Sequence, residues 1–149
     1  MPITPPPALT MIVLYVDAVQ DSLPFYREGL GMHLVEQNAP GQACTYALLE
    51  SPADPKNPHA KQRMALASRQ WMAPWSVAPD PLCVGKTSVQ LGFRVTDLEA
   101  AWAQACAYGA QTLAAPTTQP WGHRTVVLRT PDGTLLELAQ VGATPPPIG

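Results

Sequence analysis

Short β-branched or aromatic runs alternate along this chain with stretches whose apolar residues recur at helical spacing. Met11 to Val16 is apolar at both alternating sets of positions, which predicts a strand buried on both faces and therefore central. Val19, Leu23, Tyr26 and Leu30 then form one apolar stripe, predicting a helix over about 19–29. Pro24 falls inside it and is tolerated only near a helix start, where its missing N–H has no partner, so the true start is expected near Asp21. Met32 to Gln37, Ala43 to Leu49 and Gln62 to Ser68 read as three further strands.

The same order returns after residues 69–85, which show neither period and read as a connection. Ser88 to Val95 predicts a strand, and Thr96-x-x-Glu99 a capping box opening a helix with the stripe Leu98, Ala101, Trp102 and Ala105. Trp102 is thereby assigned to the core. Gly109 closes this helix, as Gly29 or Gly31 closes the first. Gln111 to Ala114 reads as a short edge strand. His123 to Arg129 and Thr134 to Gln140 flank Thr130-Pro131-Asp132-Gly133, a strong turn signal. Leu14, Val16 and Val19 correspond to Phe93, Val95 and Leu98 at a constant offset of 79 residues. One strand-helix unit repeated once is too little for a solenoid; it implies two copies of a small β-α-β-β-β module that bury their apolar faces together.

The resulting plan is a disordered proline-rich tail over 1–8, a first module over 9–68, a connecting loop over 69–86, a second module over 87–141 and a proline-rich tail over 142–149. Composition narrows the partners. Hydrophobic residues make up 46% of the 149 residues and charged residues 13%, which leaves surface for an interface. Together with an open sheet edge, this leads us to expect a homodimer. A net charge of −2 supplies no basic stripe for nucleic acid. The longest apolar stretch, Ala8 to Val16, is too short to cross a bilayer, and the first residues lack a signal-peptide pattern, so a cytoplasmic protein is expected. Cys44, Cys83 and Cys106 have no metal-knuckle or disulfide spacing and read as free thiols.

Three stretches resemble the vicinal oxygen chelate superfamily, which includes glyoxalase I, extradiol dioxygenases and bleomycin-resistance proteins. They are Leu14-Tyr15-Val16-Asp17 through Phe25-Tyr26-Arg27-Glu28-Gly29-Leu30-Gly31, Pro120-Trp121-Gly122-His123-Arg124, and Pro131-Asp132-Gly133-Thr134-Leu135-Leu136-Glu137-Leu138. With the doubled module, the likeness covers residues 9–141. It implies an α+β fold in which two tandem modules form an open U-shaped barrel with the helices outside. It also implies a cleft where catalytic members hold a divalent metal on His, Gln or Glu from the first and last strand of each module. Carried onto this chain, those positions are Met11 and Ala65 in the first module and Gln90 and Glu137 in the second. Two oxygen donors and two apolar residues are too few to hold such an ion firmly.

Strand alternation sets Glu137 on the inner face with Gln90, Gly92 and Arg94, because Leu136 and Leu138 should face the helices. An Arg94–Glu137 ion pair is expected there. Tyr15 should share the cleft with Met11 and Val13, Trp121 precedes a cleft strand, and His123 is the histidine nearest to one. Trp71 and Trp75 lie in the connection. The expectation is therefore a small-molecule binding protein without a catalytic metal, its ligand held by Tyr15, Gln90, Arg94, Trp121, His123 and Glu137. The alternative is a metal-dependent lyase or dioxygenase in which Gln90 and Glu137 hold the ion and Glu137 is also the catalytic base. A third reading is a structural or partner-binding domain whose cleft is filled by its own side chains.

Overall fold

Leu136 and Leu138 are almost wholly buried while Glu137 between them is only half-buried, the signature of a strand with one face on a core and one face open. This alternation organises the computed structural model, which describes Leu9 and residues 11–52, 61–72 and 89–141. The elements are β1 (Ile12–Val16), α1 (Val19–Pro24), β2 (His33–Gln37), β3 (Tyr46–Glu50), β4 (Arg63–Ser68) and α2 (Arg69–Met72), then β5 (Gln90–Val95), α3 (Leu98–Ala107), β6 (Gln111–Thr118), β7 (Arg124–Arg129) and β8 (Leu135–Gln140). They form two mixed four-stranded sheets of matching order, β1-β4-β3-β2 and β5-β8-β7-β6. In each, the first and last strands of the module run parallel and the remaining pairs antiparallel. The class is α+β with the helices on the outer faces of the sheets. The proline-rich tails, the 53–60 part of the first module's loop, and most of the connection, with Trp75 and Cys83, lie outside the described residues.

The outer faces of both sheets feed one core. Val16, Val19, Phe25, Tyr26, Leu49 and Leu66 of the first module join Leu98, Ala105, Val126, Leu128, Leu136 and Leu138 of the second. Each fully buried aliphatic or aromatic side chain contributes about 1.5–3 kcal/mol relative to exposure. The modules meet helix to helix rather than strand to strand. Gly29 makes the approach close: a Cβ there would lie 3.2 Å from Tyr108 Cβ. Gln104 donates from Nε2 to the Glu28 carbonyl at 3.0 Å. The Tyr26 hydroxyl donates to Asp132 Oδ2 at 2.7 Å across 106 residues of sequence.

Several local expectations are corrected. β1 is an edge strand, paired on one side only by β4, rather than a central one. Its apolar character on both faces has separate causes: Leu14 and Val16 on one face pack into the shared core, and on the other side the Tyr46 hydroxyl contacts Met11 just before the strand. The first helix starts at Val19, with Ala18 as an extended N-cap, so Pro24 is its sixth residue. Without an N–H at Pro24 the next turn widens into a π-helical stretch, Phe25–Gly29, closed by Leu30 N–H on the Phe25 carbonyl at 3.0 Å. The second helix is capped one residue later than expected, by Asp97, whose side chain accepts from Ala100 N–H at 3.1 Å. Glu99 turns away from a capping box to pair with Arg124.

Trp102 is half-buried against the core and donates from Nε1 to Thr112 Oγ1 at 2.9 Å. β6 runs eight residues instead of four; as an edge strand with two bulges it accommodates Pro116. The start of the connection is helical, and Trp71 lies in α2. Among the described residues no helix is long and apolar enough to cross a membrane.

Candidate functional site

Register places the inner-face residues in rows. Across the second sheet Gly92, Glu137 and Val127 lie side by side, with Ala114 beyond them. On one side of this row stand Gln90, Leu135, Arg129 and Gln111; on the other, Arg94, Ala139, Thr125 and Thr117. Glu137 is thus a half-buried carboxylate set among small and apolar neighbours, with amide and guanidinium groups one row away on either side.

The expected Arg94–Glu137 ion pair is absent among the described residues. Arg94 belongs to the next row, beside Ala139, so alternation gave the right face but not the right rung. Gln90 sits beside Leu135, diagonal to Glu137 on the same face. His123 precedes β7 by one residue and is four residues from Val127. That separation is about 13 Å along the strand, so His123 does not share the Glu137 row. Trp121 is 57% exposed in the turn beyond it, held by Gly122 N–H on the Gln119 carbonyl and Gln119 N–H on the His123 carbonyl.

Tyr15 belongs to the other sheet, in a row with Ala67 and Tyr46. Of the six residues singled out, the structure therefore groups Gln90, Arg94 and Glu137. Arg129 also stands on this face, where alternation from Val127 puts it. Tyr46 lies on β3, outside the first and last strands of its module.

The first sheet's matching row is Val13, Ala65 and Leu48. Ala65 and Ala67 are buried, and the Tyr46 hydroxyl reaches Met11 Sδ at 3.6 Å, a contact that crosses the Ala65 row diagonally. By contrast, Gly92 is exposed, and a Cβ there would meet no described atom within 4 Å. The first inner face is closed by its own side chains, and the second is open.

Two cavities lie off these faces. One of about 220 Å³ adjoins α1 and Cys44. The other, about 590 Å³, lies at the seam between modules, lined by Asp17, Asp21, Arg69, Arg129 and the Asp132 turn. Most of its charges are engaged: Arg69 pairs with Asp17 at 2.7 Å, and Asp132 accepts from Tyr26 and, at 2.5 Å, from Thr134. Burial, followed by the charge and hydrogen bond of Asp132, pushes the Tyr26 phenol well above its usual pKa of 10.0. Elsewhere, the hydrogen bond from Arg63 holds Glu50 below the ordinary carboxylate range, helped by Lys61. Cys44 is buried and Cys106 exposed, both free thiols.

A duplicated βαβββ module with outer helices and a carboxylate on the inner face of its last strand defines the class of protein. The model of the Glyoxalase/Bleomycin resistance protein/Dioxygenase superfamily matches residues 8–138, and the chain belongs to that superfamily. Solved structures agree in fold. A glyoxalase-related enzyme from Fulvimarina pelagi is similar at 19% identity and a TM-score of 0.66, over 95% of this chain and 99% of that one. A glyoxalase/bleomycin resistance protein/dioxygenase from Nocardioides has 21% identity and a TM-score of 0.64, over 96% and 89%. TioX from Micromonospora sp. ML1 has 17% identity and a TM-score of 0.64, over 90% and 98%. Among curated proteins, none matches the sequence.

The divalent ion that catalytic members carry does not suit the donors this chain presents. Gln90 and Glu137 supply one amide and one carboxylate, while the counterpart positions hold Met11 and a buried Ala65. Among the described residues no group of three or more His, Cys, Asp or Glu side chains is placed to hold a metal. A hard or borderline cation needs more oxygen or nitrogen donors than this set provides.

Proposed function

We propose that this protein binds a small molecule against the inner face of β5 and β8, anchored by the Glu137 carboxylate and without a catalytic metal. One observation carries this reading: Glu137 stands half-buried next to the open surface at Gly92, while the equivalent position of the first module is a closed, apolar Ala65. A carboxylate so placed favours a ligand with a cationic or strongly N–H-donating group. Gln90 and Arg94, one row to either side, supply polar contacts to its substituents, and Trp121 offers an exposed aromatic surface beyond them. The third reading, a cleft filled by its own side chains, describes the first inner face but conflicts with the exposure of Gly92 and Arg94 on the second.

The working unit is proposed to be a homodimer. Leu9, Met11 and Ile12 at the start of β1, and Val89 before β5, are exposed apolar residues at the two edges that pair on one side only. A second copy covering those edges would shelter them and wall the open face.

Native mass spectrometry of freshly purified protein tests both parts. The expected result is a dimer without stoichiometric metal, whose small-molecule adduct or added-ligand binding disappears in Glu137→Ala. One metal ion per chain, lost in the same variant, would overturn the reading in favour of a metal-dependent lyase or dioxygenase using Gln90 and Glu137.

A further inference from the structure

Glycine inside a strand is unfavourable, by about 0.5–1 kcal/mol relative to alanine, and usually has an identifiable cause. Gly92 lies in the interior of β5, and the ordinary causes are missing. Its backbone is not in the left-handed region, unlike Gly31, Gly41, Gly109, Gly122 and Gly133. The β5–β8 register runs without a bulge from Gln90 to Val95. Nor does packing demand it, because a Cβ would enter open space. The remaining cause is close approach to the backbone by something outside the described residues.

The surroundings specify what approaches. Along the inner side of β5 the order is Gln90, Gly92, Arg94, with Leu91 turned into the core. Same-face residues on a strand are about 6.6 Å apart, so Gln90 and Arg94 bracket roughly 13 Å of strand with bare backbone at its centre. Beside that bare strip, on the adjacent strand about 4.8 Å away, stands Glu137. The floor is thus flush with the peptide plane and one wall is a carboxylate. In the first module the same place carries Val13 beside Ala65, so the slot occurs once in the duplicated pattern.

We propose that Gly92 is a specificity-determining residue for the Glu137 site, admitting a flat N–H-bearing cation such as an amidinium or a protonated nitrogen heterocycle. A planar group lying on the glycine can present two N–H donors in its own plane to the carboxylate, the bidentate geometry that strengthens such pairs. A tetrahedral ammonium gains nothing from the flush floor. This inference rests on the proposed ligand-binding role of Glu137 and adds the shape of the group recognised there.

Benzamidine and benzylamine, which share a phenyl ring and a positive charge but differ in the planarity of the head group, are suitable probes. Calorimetric titration of the full chain should give benzamidine at least about a tenfold advantage, roughly 1.4 kcal/mol. Gly92→Val should remove that advantage without lowering the melting temperature or changing the oligomeric state, and Glu137→Gln should weaken both probes. If Gly92→Val does not fold, Gly92→Ala gives the same comparison with a smaller obstruction. Equal binding of the two probes to the wild type, or an unchanged benzamidine advantage in the Gly92 variants, overturns this inference alone. Conversion of the dimer to monomer by Gly92→Val also overturns it, by assigning the close approach to a second copy. Failure of both probes to bind the wild type counts against the Glu137 reading and against this inference with it.

Discussion

On the first sheet, Val13, Ala65 and Leu48 form an inner row that Tyr46 crosses to reach Met11; on the second, the matching row is Gly92, Glu137 and Val127, with Gly92 exposed. The outer faces of the same sheets do not diverge in this way. Leu66 and Leu49 in one module, and Leu136 and Leu128 in the other, serve a single shared core. The two modules therefore agree at the positions that pack helices against strands and differ at those on the inner faces. One copy presents a closed apolar surface, and the other a charged, open one.

The strongest test of that contrast places the carboxylate of the second centre in the first. Ala65→Glu would bury a carboxylate beneath the Tyr46–Met11 contact with no cation provided. It should destabilise the protein by about 3–5 kcal/mol, lowering the melting temperature by on the order of 10 °C in a thermal scan. An unchanged melting temperature would mean that the first face is as open as the second.

The next largest effect concerns the bond that holds the two modules together. Tyr26→Phe removes the hydroxyl that Asp132 accepts, and urea titration should register a loss of about 1.5–3 kcal/mol. This bond also sets an alkaline limit. The folded phenol has its pKa raised, chiefly by burial, so the stabilisation is complete below the ordinary value of 10.0 and declines as pH rises above it. The variant should lose that alkaline component of its stability profile; an identical profile would place the pH dependence in another group.

Two glycines provide a smaller and sharper test. Gly109 has φ +106°, and a Cβ there would lie 3.0 Å from Pro131 Cγ, so Gly109→Ala should cost about 1–2 kcal/mol. Gly92→Ala, in an ordinary strand conformation with open space, should stay within about 0.5 kcal/mol of the wild type or stabilise it slightly. The smallest effect is expected for Glu137→Ala. Removing a half-buried carboxylate that makes no ion pair among the described residues should change stability by less than about 0.5 kcal/mol while abolishing ligand binding. A large loss of stability would make Glu137 structural instead.

Features encoded within a few neighbouring residues were legible in the sequence. The Leu98, Ala101, Trp102, Ala105 stripe and the Thr130-Pro131-Asp132-Gly133 turn follow from local periodicity and backbone preference, and both occur as expected. The inner-face placement of Gln90 and Glu137 follows from alternation. What alternation does not contain is the register between strands, so it pairs Arg94 with Glu137 although Arg94 lies beside Ala139. Apolar character on both faces of β1 suggests centrality because the chain does not reveal that Tyr46, 31 residues beyond Tyr15, reaches Met11 at the strand's start. Pro24 argued for a later helix start; widening of the following turn was the alternative that local rules did not favour. The Tyr26–Asp132 bond joins residues whose sequence separation hides their partnership altogether.

That separation also has a consequence during synthesis. Translation is vectorial, and Asp132 is added 106 residues after Tyr26. At about 5–20 residues per second, the Tyr26 hydroxyl waits roughly 5–20 s for its acceptor. For most of that interval the buried Phe25 and Tyr26 lack part of their cover, since α3 is completed only at Ala107 and β8 follows Asp132. The last hairpin of the chain thus acts as the closing event of folding, and the nascent first module depends on its own surface, or on a chaperone, until that hairpin arrives.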